Sequence, residues 1–108
     1  EAALGAEHLD LADSLSTLAL LATRRGDNAA ALESAQRAYR IRAAKLDAGD
    51  ADVGRAAAEL GEVLWRLDRR DEARQRFDEA RALFEAGGAS MQKDLEELNE
   101  RLVGLGPS

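Results

Sequence analysis

Moved 42 residues along itself, this chain falls back onto its own skeleton. Leu18 meets Leu60, and Leu60 meets Leu102. The same shift carries Asp10 to Asp52 to Asp94, Leu11 to Val53 to Leu95, Ala31 to Ala73, and Ala38 to Ala80. A period of roughly 20–50 residues marks stacked supersecondary units, each burying its apolar face against the next. Two copies of such a unit occupy most of the 108 residues, so Leu18 and Leu60 are expected in equivalent surroundings.

The unit is helical. Alanine outnumbers every other residue type, and it is the strongest helix former because it loses no rotamer freedom. The one proline, Pro107, stands next to the last residue, where it interrupts nothing. Apolar residues recurring every three or four positions predict five helices, at about 8–25, 28–47, 51–67, 71–86 and 90–103. Their core stripes are Leu11, Leu15, Leu18 and Ala22; then Ala31, Ala35, Ala38 and Ile41 or Arg42. The third carries Val53, Ala57, Leu60, Leu64 and Leu67. The fourth has Ala73, Phe77, Ala80 and Leu83 or Phe84, and the fifth Leu95, Leu98 and Leu102. Between the first two, Gly26 suits a left-handed C-cap, and Asp27 or Asn28 can cap the second helix. Ser90 is placed to open the fifth helix. Connections this short join antiparallel neighbours, so the chain is expected to be one all-α domain over residues 1–108.

Charge narrows the partners. With 21 acidic against 15 basic side chains, the net charge of −6 argues against a nucleic-acid footprint, which needs a basic face. The cluster Arg24, Arg25, Arg37, Arg40 and Arg42 reads as solvated helix surface interleaved with carboxylates. The chain has no cysteine, which removes disulfides, thiolate metal sites and thiol nucleophiles. No apolar run reaches the roughly 18–20 residues that span a bilayer, so a soluble, cytoplasmic protein is expected. The first residue is Glu1, which suggests a segment of something longer. Enrichment in alanine, arginine, aspartate and leucine resembles proteins of high-GC bacteria.

Enzyme chemistry finds little support. His8 is the only histidine and has no cysteine or second histidine to complete a metal or nucleophile set. Glu59 and Glu62 share a helix face, but Arg55 and Arg66 each lie four residues from one of them, the spacing of ordinary surface ion pairs. Gly87-Gly88 lacks the strand and spacing of a phosphate loop. No catalytic residue, cofactor or metal ligand is assigned.

The first unit runs Leu15-x-x-Leu18-Ala19-x-x-Ala22, then Gly26, then Ala31-x-x-x-Ala35-x-x-Ala38. The second runs Ala57-x-x-Leu60-Gly61-x-x-Leu64, then Asp68, then Ala73-x-x-x-Phe77-x-x-Ala80. Over about residues 4–103 this pattern resembles the tetratricopeptide repeat, in the 42-residue kinesin-light-chain-like variety. It departs from that family in lacking tryptophan at Leu15 or Ala57, tyrosine at Ala22 or Leu64, and a proline closing either second helix. The resemblance implies a right-handed α-solenoid of two antiparallel hairpins with the fifth helix, bearing Glu97, Glu100 and Arg101, as a polar cap. It makes Leu4 to His8 the tail of a preceding unit.

The resemblance also implies a non-catalytic module that takes a peptide or protein on its concave face. The lining would be Asp13, Ser16, Thr17, Leu20, Thr23 and Arg24 from the first hairpin, and Arg55, Ala58, Glu59, Glu62, Trp65 and Arg66 from the second. The clamp that grips chaperone tails is absent, because its lysine, arginine and asparagine positions hold Ser16, Leu20, Glu59 and Glu62. Trp65, the only tryptophan, either contacts a partner or packs against the next helix or the stem of Arg69. Two alternatives stay open. The apolar side of the first helix, Leu11, Leu15 and Leu18, favours self-association as a homodimer. A regulatory or sensor segment of a larger bacterial kinase or transcription regulator also fits.

Overall fold

A computed structural model describes residues 9–105, in which five α-helices pack against one another with no strand among them. They are α1 (Leu9–Arg24), α2 (Asn28–Lys45), α3 (Ala51–Arg66), α4 (Arg70–Ala86) and α5 (Gln92–Leu105). A 3₁₀ turn at Gly88–Met91 leads into the last. The segment Leu4 to His8, the expected start at residue 8, and Pro107 lie outside the described residues. Among the described residues, no helix is long and apolar enough to cross a membrane.

The helix ends follow local chemistry. After α1, Gly26 takes φ +79°, its N–H donates to the Thr23 carbonyl at 3.0 Å, and the Asp27 N–H donates to that of Ala22 at 2.9 Å. After α3, Asp68 takes φ +64°, its N–H reaches Trp65 at 3.0 Å, and the Arg69 N–H reaches Leu64 at 2.9 Å. These are the two bonds of a Schellman cap, made twice by residues 42 apart. One copy uses glycine; the other forces an aspartate into the left-handed region. The next helix starts by different means. Asp27 accepts from the Ala30 N–H at 3.1 Å to cap α2, whereas Arg69 gives α4 no side-chain cap. Asp50 caps α3 by accepting from the Asp52 N–H.

Expected helix boundaries shift by one or two residues, and the second helix ends at Lys45 rather than near 47. The fifth helix begins at Gln92 rather than near Ser90, because Gly88 at φ +63° turns the chain into the 3₁₀ segment first. The Ser90 hydroxyl donates back to the Gly87 carbonyl instead of capping a helix.

The buried stripes of α2 and α4 are those expected: Ala31, Ala35, Ala38 and Ile41, then Ala73, Ala80, Phe77 and Phe84. Helix α3 is the hub, packing against α2, α4 and α5, so it buries nine of its sixteen residues, including Ala56, Ala58 and Val63. Its approach to α4 depends on two glycines. A Cβ on Gly54 would stand 2.6 Å from a ring carbon of Phe84, and one on Gly61 would stand 2.7 Å from a ring carbon of Phe77. Seven residues separate both the glycines and the phenylalanines, so two rings sit on two bare patches of backbone two turns apart. Between α2 and α4, the Tyr39 hydroxyl donates to Glu79 at 2.6 Å while Arg76 donates to that hydroxyl at 2.9 Å. Desolvation, then the Glu79 hydrogen bond, hold the Tyr39 phenol above its ordinary pKa.

Helix α1 departs from the expected equivalence. Its buried residues are Ala12, Leu15, Ala19 and Ala22, while Leu11 is half-buried and Leu18 is 53 % exposed. Leu60, its counterpart 42 residues on, is 5 % exposed. The surroundings of the two leucines are therefore not equivalent, contrary to the expectation from the period. The reason is position: α3 has a helix on either side, whereas α1 packs chiefly against α2. The α5 stripe is also thinner than expected, with Leu98 buried and Leu95 and Leu102 only half so.

Candidate functional site

A hollow of about 360 Å³ opens between α1, α3 and α5. Small and branched apolar residues, Ala19, Ala35 and Val63, line it, because the helices approach closely where side chains are short. The α1 wall is Ser16, Thr17, Leu20 and Thr23, which the three-and-four spacing of a helix stacks along one side. Glu59 and Glu62 form the α3 wall one turn apart, and Arg101 reaches in from α5. A second hollow of about 230 Å³ continues toward α5, lined by Arg55, Ala58, Asp94 and Leu98 and sharing Glu59 and Arg101 with the first.

The hydroxyls of the α1 wall are oriented by the backbone. Thr23 donates to the Ala19 carbonyl at 2.8 Å and Thr17 to that of Asp13 at 3.2 Å. With their protons committed, they present acceptor oxygens to the hollow. Ser16 is held from behind by Arg42, whose Nη1 donates to its oxygen at 2.7 Å while Nη2 donates to Asp13 at 2.9 Å. Only 12 % of the Arg42 side chain is exposed, so this member of the arginine cluster is structural rather than solvated surface. The Ser16 proton is thereby directed to Glu59, at 3.3 Å.

The charge pairing differs from the spacing argument. Arg66 meets Glu62 at 3.0 Å, as the four-residue separation predicts. Arg55 does not meet Glu59. Its Nε and Nη2 grip both oxygens of Asp94 on α5, at 2.8 and 3.1 Å, and its Nη1 takes Asp52 at 2.6 Å. Those bonds, the Asp94 one foremost, raise the Arg55 pKa above its ordinary value. The bidentate grip has the better geometry, and so outcompetes an exposed intrahelical pair. Arg101 crosses to Glu62 at 3.1 Å. Glu62 thus has two cations, while among the described residues no lysine or arginine forms an ion pair with Glu59.

Of the residues singled out in the sequence, Ser16, Thr17, Leu20, Thr23, Glu59 and Glu62 come together on the first hollow, and Arg55 and Ala58 on the second. Ala58 is buried in the floor. Asp13 joins only through Arg42, Arg66 only through Glu62, and Arg24 is an exposed cation in the last turn of α1. Trp65 lies apart from both hollows. Its ring is covered by the guanidinium of Arg70 at 4.1 Å, with Arg74 at 5.9 Å, so the arginine stacked on it is Arg70 and not Arg69. Helical phase and family pattern do not bring Asp94, Val63 and Arg101 to this face; the fold does. For Asp94 the period carries a signal, since it continues the series Asp10, Asp52, Asp94.

No group of three or more histidine, cysteine, aspartate or glutamate side chains suited to a metal ion occurs among the described residues. No protein-family model matches this chain, and no curated protein matches it.

Proposed function

We propose that this chain is a non-catalytic interaction module, a short α-solenoid of antiparallel helix pairs similar to tetratricopeptide repeats, which takes a peptide or protein partner in the α1–α3–α5 groove. The array is supported by the repeated Schellman cap and by the contacts Gly54–Phe84 and Gly61–Phe77, whose order along the chain reverses from α3 to α4. One observation carries the function: an open hollow of about 360 Å³ with an apolar floor and walls of hydroxyls and carboxylates. Pockets of that size and mixed lining are where ligands bind, with the apolar floor giving affinity and the polar rim orientation. A rigid helical receptor loses little conformational entropy on binding.

The test is selection of a random-peptide phage library on the immobilised protein, followed by titration of the isotope-labelled chain with the enriched peptides. Shifts in Ser16, Leu20, Glu62 and Val63, and loss of binding in Leu20→Asp, support the proposal. Binders that map elsewhere contradict it.

A second reading rests on a separate observation. Leu18 at 53 % and Leu21 at 41 % exposure lie on the side of α1 away from the groove, which favours self-association through that face. Light scattering across concentration separates the two, because self-association gives a mass that rises with concentration.

A further inference from the structure

We infer that the groove selects a peptide segment carrying a lysine or arginine, and that Glu59 is the residue that receives it. The inference rests on the interaction-module proposal and specifies its ligand. Three observations carry it. First, Glu59 is half-buried and lines both hollows, so it is within reach of a ligand in either. Second, Asp94 and Asp52 hold Arg55, the cation four residues away, so among the described residues the only hydrogen bond to the Glu59 carboxylate comes from the Ser16 hydroxyl at 3.3 Å. That contact is long for a hydroxyl donor and leaves acceptor capacity on both carboxylate oxygens. The nearest positive charge behind Ser16, Arg42, is divided between that hydroxyl and Asp13.

Third, the groove already holds a guanidinium in the way a ligand would. Arg101 extends from α5 and seats on Glu62 at 3.1 Å, one turn of α3 from Glu59. A cation from a partner on Glu59 would complete the row, with its aliphatic stem over Ala19 and Val63. Acidic segments face the opposite balance, since Glu59, Glu62, Asp94 and Glu97 all line the two hollows against Arg55 and Arg101, both of which are paired.

The experiment is parallel selection of one random-peptide phage library on the wild-type chain and on Glu59→Gln. The substitution keeps size and helix character while removing the charge. The expected result is enrichment of lysine- or arginine-containing peptides on the wild type, with about tenfold weaker binding to Glu59→Gln, the size of one charge-assisted hydrogen bond at a partly exposed site. Peptides that shift Ser16 and Val63 resonances yet carry no basic bias and bind both proteins equally would overturn the inference while leaving the interaction module intact. A selection that yields no groove-binding peptide would overturn both.

Discussion

Adding a single methyl group at Gly61 should destabilise this protein, although the same change in an ordinary helix stabilises. An interior Gly→Ala exchange in a helix gains roughly 1 kcal/mol, mostly by restricting the unfolded chain. Here the new Cβ would stand 2.7, 2.9 and 3.1 Å from three ring carbons of Phe77, which is itself only 5 % exposed. A ring has no flexible end to bend away, so α3 and α4 must separate or the ring must leave its rotamer, at about 1–3 kcal/mol. The net expectation for Gly61→Ala is a loss of about 1 kcal/mol. In a Phe77→Ala background, which alone costs about 3–5 kcal/mol, the obstruction is gone. The same Gly61→Ala change should then gain about 1 kcal/mol, giving a coupling of about 2 kcal/mol. Urea unfolding followed by far-ultraviolet circular dichroism reads all four proteins, with an unchanged slope showing that stability alone has moved. A stabilising Gly61→Ala in the wild-type background, or the same increment in both backgrounds, would refute the close approach of α3 to Phe77.

The left-handed caps invert a second pair of substitutions: Gly26→Ala should lower stability by roughly 1 kcal/mol, while Asp68→Gly should raise it by a few tenths, since it relieves φ +64° but forfeits an exposed contact with Arg70. Thermal melts of the two variants decide this. Tyr39 gives a pH dependence. Its folded pKa lies above the ordinary 10.0 of the unfolded side chain, so its contribution is complete below pH 10 and is lost as pH rises through the folded value. Urea midpoints across alkaline pH should therefore fall more steeply for the wild type than for Tyr39→Phe. Finally, Leu60→Ala should cost about 2–5 kcal/mol and Leu18→Ala under about 1 kcal/mol, because only the former leaves a cavity.

Much of this molecule was legible in its residue order, and the failures have physical causes. The stripes of α2 and α4 followed from spacing up to their last members, where a 3.6-residue period left Ile41 or Arg42 and Leu83 or Phe84 open and packing buries Ile41 and Phe84. Asp68 stands 42 residues after Gly26, and although the residue types differ, the same two hydrogen bonds close both turns. What periodicity does not carry is how many neighbours a helix has. Leu18 and Leu60 fit the same template, yet α3 is surrounded and α1 is not, so exposure separates them. Gly54 has no signal in the residue order, because its role depends on Phe84, thirty residues away in the chain.

The groove shows the same division. The resemblance to tetratricopeptide repeats implied a shared lining for Ser16, Thr17, Leu20, Glu59 and Glu62, and they do line one hollow, whereas Asp13, Arg24, Trp65 and Arg66 do not. Ion-pair arithmetic within a helix assigned Arg55 to Glu59, and it failed because it ignores α5. A bidentate carboxylate from another helix outranks a neighbour on the same one. Trp65 lies apart from the groove, and the arginine on its ring is Arg70, five residues on, which spacing alone did not single out.

The juxtaposition of α1 and α3 across the groove underlies both the proposed function and its proposed selectivity. The chain has no cysteine, so Ser16→Cys accepts a single nitroxide label, and paramagnetic broadening of backbone amides then reports what faces it. Broadening of Glu59, Glu62 and Val63 on α3, with Arg101 on α5 affected and Arg74 on α4 spared, is the predicted result. Broadening confined to α1 and α2 would contradict the account, because the groove and everything assigned to it would then be absent.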